Sequence, residues 1–167
     1  MLRFGVLFAV IVVGLFAAEL TPPGQQWFVD PWTAAVAKVS TTLARAFDPD
    51  VMAVGPTLIE PTNGFSVTIL AGCNGVEAMI VLVAAILAYP APWRNRLIGL
   101  AIGILAIQLL NLVRIVSLFY LGQWNMRVFE WAHLYAWQAL IMLDALIVWL
   151  VWLRTLPRTP APDPAPA

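Results

Sequence analysis

Cys73, Arg114 and His133 are the residues whose types could carry covalent chemistry. Cys73 is the only cysteine and His133 the only histidine among 167 residues, and Arg114 interrupts an apolar run from Leu97 to Leu121. A thiol, a guanidinium and an imidazole held together suit cysteine acyl transfer. The thiolate attacks a peptide carbonyl, a cationic donor stabilises the oxyanion, and the imidazole protonates the departing amine. A single cysteine excludes an internal disulfide and a cysteine-rich metal cluster, so no metal or cofactor is expected. Sequence spacing alone does not unite the three residues, so the elements that carry them must.

Those elements are membrane helices. The chain is 62% apolar and 11% charged, far from the roughly half-apolar, quarter-charged mix of a soluble domain. Lys38 is the only lysine and the formal net charge is zero, so no basic surface exists to follow a nucleic-acid backbone. Crossing about 30 Å of hydrocarbon takes roughly 20 helical residues. Four stretches qualify: Leu2 to Leu20, Val76 to Tyr89 (extendable back to Gly72), Leu97 to Leu121 and Ala132 to Leu153. The predicted fold is an all-α membrane protein, a bundle of about four transmembrane helices, with residues 1–156 as one polytopic domain. The first run is read as an uncleaved anchor: Phe16 and Ala18 do not form a small-x-small cleavage site, and Glu19 follows directly.

Orientation follows from arginine placement. Arg3, Arg94, Arg96, Arg154 and Arg158 fall at the two ends of the chain and in the second connection. With four spans these segments share one side, which is predicted to be cytoplasmic. Residues 21–72 then face outward. Arg114 lies about 17 residues up the third span, roughly 25 Å at about 1.5 Å per residue. Cys73 opens the second span and His133 the fourth, so all three are expected at the outer surface. Taken singly, each has an ordinary reading: a small buried apolar residue, a snorkelling arginine and a water-facing histidine. Their shared depth favours chemistry.

Around them, Asn74 and Glu77 have the spacing of a capping box for a helix starting there. A helix N-terminus, with Arg114 nearby, is expected to lower the Cys73 pKa. Glu77 reads as a cap before a base. Asn111, three residues before Arg114, is placed to orient the guanidinium or a substrate carbonyl, or to make an interhelical hydrogen bond. Gln108 reads as structural. Asp144, in mid-span, reads as a buried polar contact.

The outer segment carries two further elements. Asp30 and Pro31 read as the start of an amphipathic helix whose apolar stripe is Trp32, Val36, Val39, Leu43 and Phe47. Thr57 to Glu60 and Phe65 to Leu70 flank Pro61, Thr62, Asn63 and Gly64 and read as a β-hairpin. Pro56 and Pro61 place its first strand at an edge. Ending just before Cys73, the hairpin can hold an extended peptide beside the thiol. Gly99 and Gly103 form a G-x-x-x-G on the third span. Residues 157–167, proline alternating with small residues, are expected to be a disordered cytoplasmic tail.

The runs Gly72-Cys73-Asn74-Gly75-Val76-Glu77-Ala78, Asn111-Leu112-Val113-Arg114-Ile115-Val116-Ser117 and Phe129-Glu130-Trp131-Ala132-His133 resemble the three motif blocks of the exosortase and archaeosortase family. The resemblance spans roughly Pro56 to Trp152 and is nearest to the compact subtype called exosortase H. It implies a membrane-embedded cysteine transpeptidase or protease of the bacterial inner membrane, with Cys73 as nucleophile, Arg114 as electrostatic partner and His133 as acid-base. It also implies substrates: exported proteins ending in a short motif similar to Ile-Pro-Thr-Leu, a transmembrane helix and a basic tail. These are cut near the helix through a thioester and passed to an acceptor. The alternative reading is a non-enzymatic transporter or assembly subunit in which Arg114 and Asp144 line a polar path.

Overall fold

The computed structural model describes residues 2–157, so the rest of the expected tail, with Arg158, lies outside the described residues. In chain order the helices are α1 (Leu2–Glu19), α2 (Pro22–Gly24), a π-helix (Gln25–Val29) and α3 (Asp30–Ala44). Strands β1 (Met52–Val54), β2 (Thr57–Glu60) and β3 (Phe65–Thr68) follow. The chain then forms α4 (Val76–Ala88), α5 (Trp93–Trp124), α6 (Met126–Trp131), a second π-helix (Ala132–Ala136) and α7 (Trp137–Thr155).

Among the described residues, three helices are long and apolar enough to cross a membrane: Leu2–Glu19, Trp93–Trp124 and the continuous Met126–Thr155. The second expected span is shorter. Helix α4 has 13 residues and rises about 20 Å, less than the hydrocarbon thickness. Its start is held back because Gly72 and Gly75 sit at φ 85° and 81°, a left-handed backbone that glycine adopts without steric penalty. Its end is set by Tyr89, extended at ψ 134°, followed by Pro90.

The shortness suits its position. Helix α4 is the centre of the bundle, with α1, α5 and α7 all packed on it. Val76, Met79, Leu82 and Ile86 join Ile107, Ile141 and Trp152 in one buried cluster. The G-x-x-x-G lies at the same contacts: a Cβ on Gly99 would strike the Trp152 indole, and one on Gly103 the side chains of Leu82 and Val148. Outward faces stay apolar, with Val10 64% and Val13 66% exposed on α1, as lipid-facing residues should be.

Above the bundle the structure corrects three expectations. The outer helical segment begins at Thr21, not Asp30. Thr21 Oγ1 accepts from the Gly24 N–H at 3.1 Å, Pro22 follows, and Asp30 is already helical at φ −66°. The face of α3 that packs inward is Thr33, Val36, Ala37, Ser40, Thr41 and Ala44, while Val39, Leu43 and Phe47 of the expected stripe are exposed. Small residues let α3 lie close against its neighbours, and an apolar exterior costs nothing beside lipid.

The hairpin is a three-stranded antiparallel sheet in the order β1-β2-β3. Strand β2 is therefore central, not an edge. Pro56 and Pro61 flank it without interrupting either ladder. Val51, Leu58 and Ile69 seat the sheet on Ile115 and Phe119 of α5 and on Val36 and Ala37 of α3.

Candidate active site

Cys73 lies in a turn between β3 and α4, with its N–H donating to the Leu70 carbonyl at 2.9 Å. The turn is anchored through its neighbour. Asn74 is fully buried, and its Nδ2 donates to Thr33 Oγ1 at 3.0 Å while its Oδ1 accepts from the Val76 N–H at 3.0 Å. Its carbonyl accepts from Trp32 Nε1 at 3.3 Å and from Gln108 Nε2 at 3.4 Å. With these groups engaged, Asn74 holds the backbone of the Cys73 turn. Thr33 and Trp32, absent from the sequence-based candidates, thus tie α3 to the Cys73 turn. Nothing local in the sequence signals a contact across 41 residues.

The capping geometry also differs from the expected box. Gly75 is the N-cap of α4. Glu77 reaches past Asn74 to accept the Gly72 N–H, so its carboxylate fixes the turn. Gly75 has no room for a side chain: a Cβ would come within 2.5 Å of Gln108 Nε2 and 3.2 Å of Asn111 Nδ2.

Helix α5 brings Arg114 to the thiol. The Arg114 Nη2 donates to Cys73 Sγ at 3.6 Å, and the residue is 2% exposed. Its Nη1 has no hydrogen-bond partner among the described residues. A guanidinium buried with spare donors is costly unless something anionic joins it. Asn111 is buried below, with neither side-chain polar atom bonded. It faces the Gly75 turn, and neither a bond to the guanidinium nor an interhelical hydrogen bond is formed among the described residues. Asp144 Oδ2 likewise has no partner among the described residues, against the expected polar contact.

His133 arrives by a sharp corner. Asn125 ends α5 in an extended conformation at φ −158°, and its Oδ1 caps α6 by accepting from the Arg127 and Val128 N–H groups at 2.9 and 3.4 Å. Helix α6 folds back on α5. His133 follows within the π-helical turn, where the Trp137 N–H donates to the Ala132 carbonyl. Such turns re-aim side chains and are frequent at functional sites. The imidazole stacks on Phe129 at 5.7 Å between centroids and 4° between planes. Its Nδ1 is buried without a hydrogen-bond partner among the described residues.

Cys73, Arg114 and His133 line one cavity of about 270 Å³, whose other wall is the strand segment from Phe65 to Leu70. Asp144 is not among its lining residues, so the cavity offers no polar path joining it to Arg114. Half-buried Cys73 also departs from expectation. Burial pushes its thiol pKa up, the Arg114 guanidinium pulls it down, and Glu77 adds to the rise, leaving it above the ordinary cysteine value. The thiol precedes the first residue of α4 by three positions, behind the left-handed Gly75. Helix-terminal stabilisation falls off within the first turn. The balance of burial over charge thus favours the neutral thiol over the thiolate.

Comparison with curated proteins and with solved structures finds no match. A family model described as Transmembrane exosortase matches residues 2–151, a range that contains the sheet, the bundle up to the last turn of α7, and Cys73, Arg114 and His133. The chain belongs to the transmembrane exosortase family.

Proposed function

We propose that the protein is a cysteine transpeptidase that cleaves C-terminal sorting signals of exported proteins near their transmembrane helix. The observation that carries this reading is the Arg114 contact to Cys73 Sγ at 3.6 Å, in a cavity that His133 also lines. His133 takes the thiol proton as sulfur adds to the peptide carbonyl. Spare Arg114 donors receive the oxyanion. The C–N bond then breaks, the proton passes from His133 to the departing amine, and an acyl thioester remains on Cys73. An acceptor nucleophile, or water, attacks the thioester and regenerates the thiol.

The same reading places both ends of the chain and the Pro90–Pro92 connection in the cytoplasm of a bacterial inner membrane. The cavity is then on the outer face. Arginine distribution supports this orientation, and the short motif blocks support the compact exosortase H subtype. Asn74 and Glu77 act as supports of the Cys73 turn through their hydrogen bonds, and Asn111 packs beside Gly75.

The decisive experiment is Cys73→Ala with a membrane-anchored reporter ending in an Ile-Pro-Thr-Leu segment, a transmembrane helix and an arginine-rich tail. Full-length reporter should persist at normal enzyme abundance. Normal processing by that variant would sink the thioester mechanism and favour a non-enzymatic membrane subunit.

A further inference from the structure

Strand β3 is an edge of the three-stranded sheet, so one row of its backbone hydrogen-bonding groups meets no other strand. The register identifies that row. Leu58 pairs with Val67 and Thr57 with Thr68, and just past the strand the Ile69 N–H donates to the Pro56 carbonyl at 2.9 Å. In an antiparallel ladder, hydrogen-bonded and non-hydrogen-bonded pairs alternate. Counting by two from Ile69 and Pro56, Val67 and Leu58 form the next bonded pair, and Thr68 and Thr57 a non-bonded one. The side chains agree, since the Thr57 and Thr68 hydroxyls meet at 3.0 Å, as the closer approach within a non-bonded pair allows. The N–H and C=O groups of Ser66 and Thr68 therefore point away from β2.

The cavity lies along this free edge. All six residues from Phe65 to Leu70 line it. Successive side chains of a strand point to opposite faces, so a cavity touched by all six runs along the strand's edge and not across one face. Phe65 is fixed against Phe119 at 5.8 Å between centroids, and Val67 and Ile69 pack on the core of the sheet. The strand is thus seated from within while its edge remains open toward Cys73, Arg114 and His133.

We propose that the substrate's main chain binds as an added strand on this edge, pairing with the backbone groups of Ser66 and Thr68. It thereby carries its reacting carbonyl to Cys73. The inference rests on the reading that Cys73 attacks a peptide carbonyl. A peptide entering the cavity leaves water, and its amide groups then need partners. Ser66 and Thr68 supply them at a spacing of about 7 Å, the two-residue repeat of a strand. Main-chain pairing gives affinity and alternate side chains give selectivity.

The test uses Ser66→Pro and Thr68→Pro, each of which removes one outward N–H from an edge position where proline is tolerated. Ser66→Ala and Thr68→Val remove only the hydroxyls. With the reporter described above, the proline variants should lower processing at least tenfold and the side-chain variants less than twofold. Alkylation of Cys73 by iodoacetamide should proceed at the wild-type rate in all four. Processing within twofold of wild type in both proline variants would overturn the proposal. Where a proline changes the alkylation rate, a second measurement on the wild-type protein decides. A synthetic N-acetylated Ile-Pro-Thr-Leu peptide, N-methylated in turn at the Ile, Thr or Leu amide because proline has no N–H, is tested for protection of Cys73 from iodoacetamide. Sensitivity at alternate positions supports strand addition, and uniform sensitivity or absent protection overturns it. Failure of the underlying mechanism is read separately, from processing by Cys73→Ala.

Discussion

Thr33 on the outer helix accepts a hydrogen bond at 3.0 Å from the side-chain amide of Asn74, the residue after the candidate nucleophile. Both are buried, and the Thr33 hydroxyl itself donates a hydrogen bond to the Val29 carbonyl at 2.6 Å. The bond makes α3 part of the frame that holds the Cys73 turn.

Thr33→Val should therefore weaken the site without touching it. The substitution keeps the volume but leaves the Asn74 Nδ2 without an acceptor, a loss of about 1–3 kcal/mol. The expected outcome is a lower unfolding temperature in detergent together with reduced reporter processing. Thr33→Ser, which keeps the acceptor, should restore most of both.

Arg114→Lys tests the fork geometry. Lysine keeps the charge but cannot direct one nitrogen at the Cys73 sulfur and another at an oxyanion. Processing should fall by at least tenfold with the protein still in the membrane fraction. Near-normal turnover would reduce Arg114 to a structural residue.

The protonated thiol has a pH signature. Burial holds the Cys73 pKa above its ordinary value, and Arg114 opposes the shift. Thiolate-dependent alkylation by iodoacetamide should rise with pH through a midpoint above that of free cysteine, about 8.5. Arg114→Gln removes the opposing charge, so the midpoint should move further up and alkylation at fixed pH should slow. A midpoint below that of free cysteine would contradict the balance of burial over charge.

Gly75→Ala addresses the turn itself. At φ 81° a Cβ costs roughly 1–2 kcal/mol in backbone strain, and it would also press on Gln108 and Asn111. Thermal stability should fall by at least that amount. Cys73 alkylation should change as well, because the turn that presents the thiol must shift. Gly55→Ala, also at positive φ but with open space around it, should lose stability without altering the thiol.

The helical bundle was legible from the chain alone, and depth reasoning grouped Cys73, Arg114 and His133, which line one cavity. Apolar run length and the rise per residue of a helix are local properties, and together they set depth. The G-x-x-x-G contact was legible for the same reason: glycines one turn apart on one face can only let another element come close. The motif blocks that resemble the exosortase family lie in contiguous sequence and needed no fold to be read.

Tertiary structure decided what depends on partners distant in sequence. Strand β1 has three residues and no alternation to announce it, so its existence rests on pairing with β2. That pairing makes β2 central and β3 the open edge. The buried face of α3 could not be read from its apolar stripe, because lipid accepts apolar side chains on the outside while the packed face selects for small ones. The π-turn at Ala132 and the left-handed Gly75 redirect side chains through backbone geometry that residue types alone do not specify. Burial around Cys73, contributed by elements far along the chain, outweighs the nearby charge and sets the direction of its pKa.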